Sequence, residues 1–272
     1  VSWRVALHCP AMSWIIPQDF TGQPGLYLLI VLAALVVTGV SKGGFGGVGS
    51  LAVPLLLLVM GPERALGMWL PLMIWLDVLT IRSYPREWQL RPILLMAPWM
   101  LAGIVVGWYL LGRLDARVLK LFVGGLSVVF VALEWARGLI ARRRQAQTWR
   151  PGWWTASPFG LAAGVSTMVA HAAGPVTSIY FLLQRMDPRS FVGTAARFYF
   201  LFNSVKVPFL VQRGFINGES LTLSLWLVPL APLTIWIGSV MNQRMSPAVF
   251  TRVIHVLLVV TGIYLIATNW SG

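Results

Sequence analysis

Apolar stretches, most of them close to 20 residues long, recur from one end of the chain to the other. That length carries an α-helix across the hydrocarbon core of a bilayer. Inside that core every backbone N–H and C=O must be bonded within the protein, so helices and closed barrels are the only spanning solutions. The stretches here have helical length. Composition agrees, with 57% hydrophobic and 11% charged residues, against about 25% charged in a soluble domain. The expected class is an all-α polytopic membrane protein with the lipid bilayer as its surroundings. A formal net charge of +13 would suit nucleic acid, but the basic residues sit in short breaks between apolar runs, as the positive-inside rule requires. Nucleic acid is therefore not an expected partner. Cys9 is the single cysteine, so the chain forms no intrachain disulfide and no cysteine-based metal site. No cofactor is expected.

Ten apolar segments follow a mixed flanking segment, 1–24. They fall into a first membrane repeat, 25–140, a basic linker, 141–154, and a second membrane repeat, 155–272. The segments run roughly 25–41, 49–60, 65–82, 92–112 and 117–140, then 155–170, 174–184, 191–212, 220–242 and 248–268. The halves resemble each other. Gly39-Val40-Ser41 matches Gly164-Val165-Ser166 at a shift of 125, and Pro62 and Gly67 match Pro188 and Gly193 at 126. Asp77 then falls opposite Asn203, and Gly107 and Arg113 match Gly238 and Arg244 at 131. Internal symmetry of this kind marks many transporter folds. Five segments per half is an odd number, so the second repeat is expected to insert upside down.

Loop charge supports that orientation. With the Arg142–Arg150 linker in the cytoplasm, Arg82, Arg86, Arg91, Arg185, Arg189 and Arg244 join Arg142, Arg143, Arg144 and Arg150 on that side, and Arg4, Arg64, Arg113, Arg117 and Arg213 lie opposite: ten against five. Both termini then face the periplasm.

The second segment of each half is too short to cross. Before these segments lie Ser41-Lys42-Gly43-Gly44-Phe45-Gly46-Gly47-Val48-Gly49 and Ser166-Thr167-Met168-Val169-Ala170-His171-Ala172-Ala173-Gly174-Pro175. Glycine-rich and proline-containing backbone breaks a helix. Irregular backbone at membrane depth survives only inside protein or beside a water-filled cavity. Two broken, re-entrant helix pairs with tips near the midplane are expected. If these segments do cross fully, the remaining topology is unchanged.

Ionisable residues inside apolar segments are costly and mark function. Lys42 and His171 sit in the two junctions, Asp77 interrupts the third segment, and Arg197 and Lys206 flank Asn203 in the eighth. Glu134 is close enough to a helix end to snorkel. Three cations against one carboxylate leave a positive surplus that an anion would match. Ser41, Ser166 and Thr167 offer hydroxyls, and Gly43 and Gly44 offer close backbone approach. Half-helix N-termini would add N–H donors. Each residue has a plainer reading. Lys42 could snorkel, Arg197 and Asp77 could pair structurally, Lys206 could lie near a helix end, and His171 could bond only a carbonyl. No P-loop is present, so ATP does not drive the chain directly. Ser166, His171 and Asp77 are triad residue types, but no G-x-S-x-G elbow surrounds Ser166, and no metal-ligand spacing occurs.

Gly39-Val40-Ser41-Lys42-Gly43-Gly44-Phe45-Gly46, followed by Pro54-Leu55-Leu56, resembles the first-half motif of the TauE/SafE (TSUP) sulfite and organosulfonate exporter family. Ser166-Thr167 with His171-Ala172-Ala173-Gly174-Pro175 is similar to the second-half motif. So is Phe191-Val192-Gly193-Thr194-Ala195-Ala196 with Asn203 and Lys206-Val207-Pro208. The resemblance covers about 26–268; the segment before Pro24 departs from it. It implies a multi-pass protein of the bacterial cytoplasmic (inner) membrane that moves sulfite, sulfoacetate, thiosulfate or a related anion. The expected mechanism is secondary transport by alternating access. The anion would sit between Lys42, Arg197, Lys206 and the junction serines, with Asp77 as charge partner. Proton coupling through Asp77 or His171 is compatible with this, as is a uniport. An anion channel is the main alternative, and an intramembrane enzyme using Ser166 and His171 is a third. Oligomeric state is left open.

Overall fold

Proline and glycine set most of the helix boundaries. The computed structural model describes residues 24–45, 48–143, 152–184, 186–244 and 247–270. The flanking segment up to residue 23 and the linker residues 144–151 lie outside the described residues. Helix α1 (Pro24–Val40) runs into a π-helical turn, Ser41–Phe45, and a 3₁₀ turn, Val48–Leu51, leads into the short α2 (Ala52–Leu56). Helix α3 (Pro62–Ser83) starts with proline at its first turn, where the missing N–H costs nothing. Then come α4 (Leu90–Leu111) and α5 (Ala116–Arg143). The second half holds α6 (Trp153–Ala170), α7 (Gly174–Leu183), α8 (Pro188–Gln212), α9 (Gly218–Leu227), α10 (Ala231–Arg244) and α11 (Pro247–Trp270).

Among the described residues all regular structure is helical, and six helical stretches are long and apolar enough to cross a membrane. The chain is an all-α polytopic membrane protein. Its outer helices carry apolar side chains outward, such as Leu94, Leu101 and Val105 on α4 and Val256, Val260 and Ile263 on α11. Exposed Trp135, Trp154, Trp226, Trp236 and Trp270 suit a membrane interface.

One feature differs from the sequence reading, and one alternative it left open is settled. The ninth segment, 220–242, is two helices, with a 3₁₀ turn at Val228-Pro229-Leu230 between α9 and α10. Pro208 does not end α8, which continues to Gln212 and buries Lys206 completely. Lys206 is therefore not a solvated residue near a helix end. Both short second segments are as expected: α7 has ten residues, or about 15 Å of helix.

The two halves touch through matching positions. A Cβ on Gly107 would lie 2.7 Å from Met168 Cβ and 3.2 Å from Val165 O, and a Cβ on Gly238 would lie 2.6 Å from Val40 Cα. Gly107 and Gly238 are the residues related by the 131 shift, and Val40 and Val165 by the 125 shift. Helix α4 thus packs on α6 as α10 packs on α1. At the centre, Gly67 near the start of α3 meets Phe215 O beyond the end of α8, and Gly193 near the start of α8 meets Glu87 O beyond the end of α3. Helices α3 and α8 therefore run antiparallel, and they carry the ionisable residues into the core.

Candidate functional site

The broken ends of α1 and α6 face the crossing of α3 and α8. Lys42 lies in the π-helical turn after α1, a feature that recurs at functional sites. Its ammonium pairs with Asp77 Oδ1 on α3 and lies 5.4 Å from the centroid of the Tyr199 ring on α8. Asp77 is fully buried, and its second oxygen accepts from Asn203 Nδ2 at 2.8 Å. The tie from Asn203 to Asp77 joins the two residues that the sequence repeat places opposite each other. Tyr199 OH in turn shares a hydrogen bond with Thr177 Oγ1 on α7.

A second cluster lies at the end of α6. His171 takes a left-handed conformation, φ 51°, and among the described residues no other non-glycine residue has positive φ. Such backbone is uncommon and gathers at functional sites. His171 Nε2 lies 3.0 Å from Leu66 O, which can only accept, so Nε2 carries the proton and Nδ1 accepts from Lys206 Nζ at 2.9 Å. Nδ1 also lies 3.2 Å from Thr167 O, but those are then two acceptors, so the hydrogen bond is the one from Lys206. Lys206 donates further to Thr167 O at 3.1 Å and Thr167 Oγ1 at 2.9 Å. An ammonium has three donors, and these three acceptors use them all.

A cavity of about 70 Å³ opens between the clusters. Ser41, Lys42, Asp77, Thr167, His171 and Asn203 line its polar side, with Thr38, Thr80, Ser178 and Tyr199. Met73, Phe191 and Val192 line an apolar side, and Ala173 and Gly174 bring in the start of α7.

Residues 31–265 match the protein family described as "Sulfite exporter TauE/SafE". The chain belongs to the TauE/SafE family. It is 29% identical over 189 residues to the "Probable inner membrane transporter protein TsaS" of Comamonas testosteroni, covering 68% of this chain and 75% of that protein. No solved structure matches it. With its apolar helices, the TauE/SafE chain is a multi-pass inner-membrane protein and a membrane transporter of sulfur-related anions.

Around this cavity the expected residues separate. Ser41, Lys42, Asp77, Thr167, His171 and Asn203 come together around the cavity. Lys206 stands behind the wall, saturated by Thr167 and His171. Gly43 and Gly44 form part of the π-helical turn beside Lys42. Ser166 does not reach the cavity; its hydroxyl donates to Ala162 O at 2.7 Å, on its own helix. No hydrogen bond joins Ser166 to His171, whose two nitrogens face Leu66 O and Lys206, so the pair is not set up as a nucleophile and base.

Arg197 stands apart from the cavity. Its guanidinium donates to Tyr84 O at 3.0 Å, Pro85 O at 2.7 Å and Gly193 O at 3.0 Å, and stacks 4.9 Å from the centroid of the Trp88 ring. It neither lines the cavity nor pairs with Asp77; it fastens the α3–α4 loop to α8. Thr38, Ser50, Thr80, Ser178 and Tyr199 are the polar lining residues the sequence reading missed. Helical spacing carried a signal for some of them. Met73, Asp77 and Thr80 are spaced i, i+4, i+7, and so are Tyr199, Asn203 and Lys206.

Proposed function

We propose that the chain is a secondary transporter that binds a small sulfur oxyanion or sulfonate in the Lys42 cavity and carries it across the membrane by alternating access. One observation carries the reading: a part-buried lysine beside a cavity, flanked by hydroxyls and an amide, with its buried carboxylate partner in the same wall. Formally, Lys42 and Lys206 against Asp77 leave one positive charge, which an anionic occupant would balance. The cavity has room for about five water-sized groups, enough for a sulfonate head. Asp77 and the anion compete for Lys42. An arriving anion takes over the ammonium, and Asn203 holds the displaced carboxylate. Protonation of Asp77 would have the same effect as displacement.

The antiparallel crossing of α3 and α8, and the matching glycine contacts of α4 on α6 and α10 on α1, support two inverted repeats that rock around this site. The short α2 and α7 support broken helix pairs with their tips at the cavity.

The test is flux in liposomes with the purified chain. Labelled thiosulfate, sulfite and sulfoacetate should show saturable uptake accelerated by unlabelled anion on the far side. Rates that never saturate would identify a channel instead. Lys42→Ala should weaken anion affinity about 10- to 100-fold, the loss of one charge-assisted hydrogen bond. Unchanged affinity for all three anions would overturn the site.

A further inference from the structure

The seam between α5 and α11 holds two ionisable side chains that the central site does not use. Glu134 on α5 and His255 on α11 line a niche of about 10 Å³. Phe130 and Leu258 line it too, so its walls are largely apolar. Pro175, at the start of α7, closes one side, and Ser50 closes another. Ser50 also lines the central cavity. One buried hydroxyl therefore stands between the acid–imidazole pair and the anion site.

The niche is about the size of a single water molecule. Glu134 stands nine residues before the end of α5 at Arg143, about 14 Å of helix from the linker side. The apolar spans are Ala116–Trp135 and Arg252–Trp270, so Glu134 and His255, both partly exposed, sit at the linker-side edge of the membrane, where a proton from that side reaches them. A carboxylate and an imidazole can each accept and release a proton. A serine hydroxyl donates and accepts at once, so it can pass a proton on.

Among the described residues, His255 is the titratable group that faces Glu134 from α11; Arg252, one turn earlier, is exposed. The segment around α2 brings Ser50, α7 brings Pro175, and α6 carries no charged residue. The one ionisable side chain of α7, Tyr180, packs on Phe159 and Phe181. Beyond Ser50 lie Lys42, Asp77 and His171 in the cavity wall.

We infer that Glu134 and His255 form a proton-binding site that serves the anion cavity through Ser50. The inference rests on the reading of the chain as an anion transporter. A proton from the linker side binds the Glu134–His255 pair. The pair releases one to a water in the niche, the water donates one of its own to Ser50, and the Ser50 hydroxyl gives its proton to Asp77 or to the bound anion. Ser50 and the water end with the protons they began with, so one proton has entered the cavity beside the anion.

The test uses full-length chain in proteoliposomes with thiosulfate, which stays ionised near neutral pH. Two fluxes are read: accumulation driven by an imposed pH gradient, and thiosulfate-for-thiosulfate exchange without a gradient. Glu134→Gln and His255→Gln keep hydrogen-bonding capacity and remove titration. Both variants are expected to lose pH-driven accumulation and to retain exchange at the wild-type rate. Wild-type accumulation in both variants would overturn the assignment, and so would loss of both fluxes in both variants, which marks a structural clamp. Wild-type exchange without any pH-driven accumulation would overturn the proton site alone. A wild-type chain with neither flux would overturn the transporter reading, and this inference with it.

Discussion

Arg197 and Lys206 stand nine positions apart on α8, and nine steps of about 100° place them on opposite faces of the helix. Lys206 turns inward to Thr167 and His171, while Arg197 reaches out to two loop carbonyls, a carbonyl of its own helix and the Trp88 ring. A lysine at 197 has no planar fork to serve those carbonyls together. Arg197→Lys is therefore expected to cost about 1–2 kcal/mol of stability, read as a lower melting temperature in detergent, with thiosulfate affinity unchanged. Lost affinity at an unchanged melting temperature would place Arg197 in the anion site after all. The residues at the cavity were legible where they are expensive: Lys42, Asp77 and His171 have no cheap reason to sit in apolar segments. Thr38 and Thr80 were not, because a buried threonine can satisfy itself on its own helix. Their hydroxyls donate to Ala34 O and Leu76 O, both at 2.8 Å. Such residues look like ordinary helix interior until the cavity beside them is seen.

At the scale of elements, apolar run length located the helices well, because the bilayer permits few other solutions. It could not show the break between α9 and α10, since the apolar run passes through Val228-Pro229-Leu230 without a polar residue. Helix pairing was visible only as glycines whose partners the sequence does not name. Two adjacent glycines on α5 show what pairing adds. A Cβ on Gly124 would lie 2.8 Å from Gly262 O on α11, whereas a Cβ on Gly125 meets nothing within 4 Å. Gly124→Ala must push the α5–α11 seam apart and is expected to cost about 1–3 kcal/mol. Gly125→Ala escapes that clash and should stabilise the helix by up to about 1 kcal/mol. Thermal unfolding of the two variants in detergent should shift in opposite directions. Equal shifts would mean that α5 and α11 do not approach at Gly124.

For the whole molecule, the decisive property is the relative direction of the halves. Gly67 against Phe215 and Gly193 against Glu87 make α3 and α8 antiparallel, though each is the third segment of its half. In the proposed inverted repeat the order of segments is kept while the direction reverses, and the expected loop charges, ten basic residues against five, would give the pair a sense in the membrane. Ion pairs are found at both ends of the α3–α8 crossing. Arg64 meets Glu219 at 2.7 Å where α3 begins, and Arg189 lies 3.9 Å from Glu87 where α8 begins. The sequence pattern pointed to a repeat and a charge bias but not to these contacts, which depend on how the helices pack and, for Glu87, on the α3–α4 loop, whose geometry no periodicity encodes. Direction can be measured. Ser83, at the end of α3, and Gly218, at the start of α9, are both exposed. In a Cys9→Ser background, single cysteines at these two positions should react with a membrane-impermeant maleimide from opposite sides. Ser83→Cys should be labelled only after the cytoplasmic face is opened, and Gly218→Cys in sealed cells. Parallel repeats would put both on one face, so labelling of the two from the same side would sink the inverted arrangement, and the rocking motion built on it would go too.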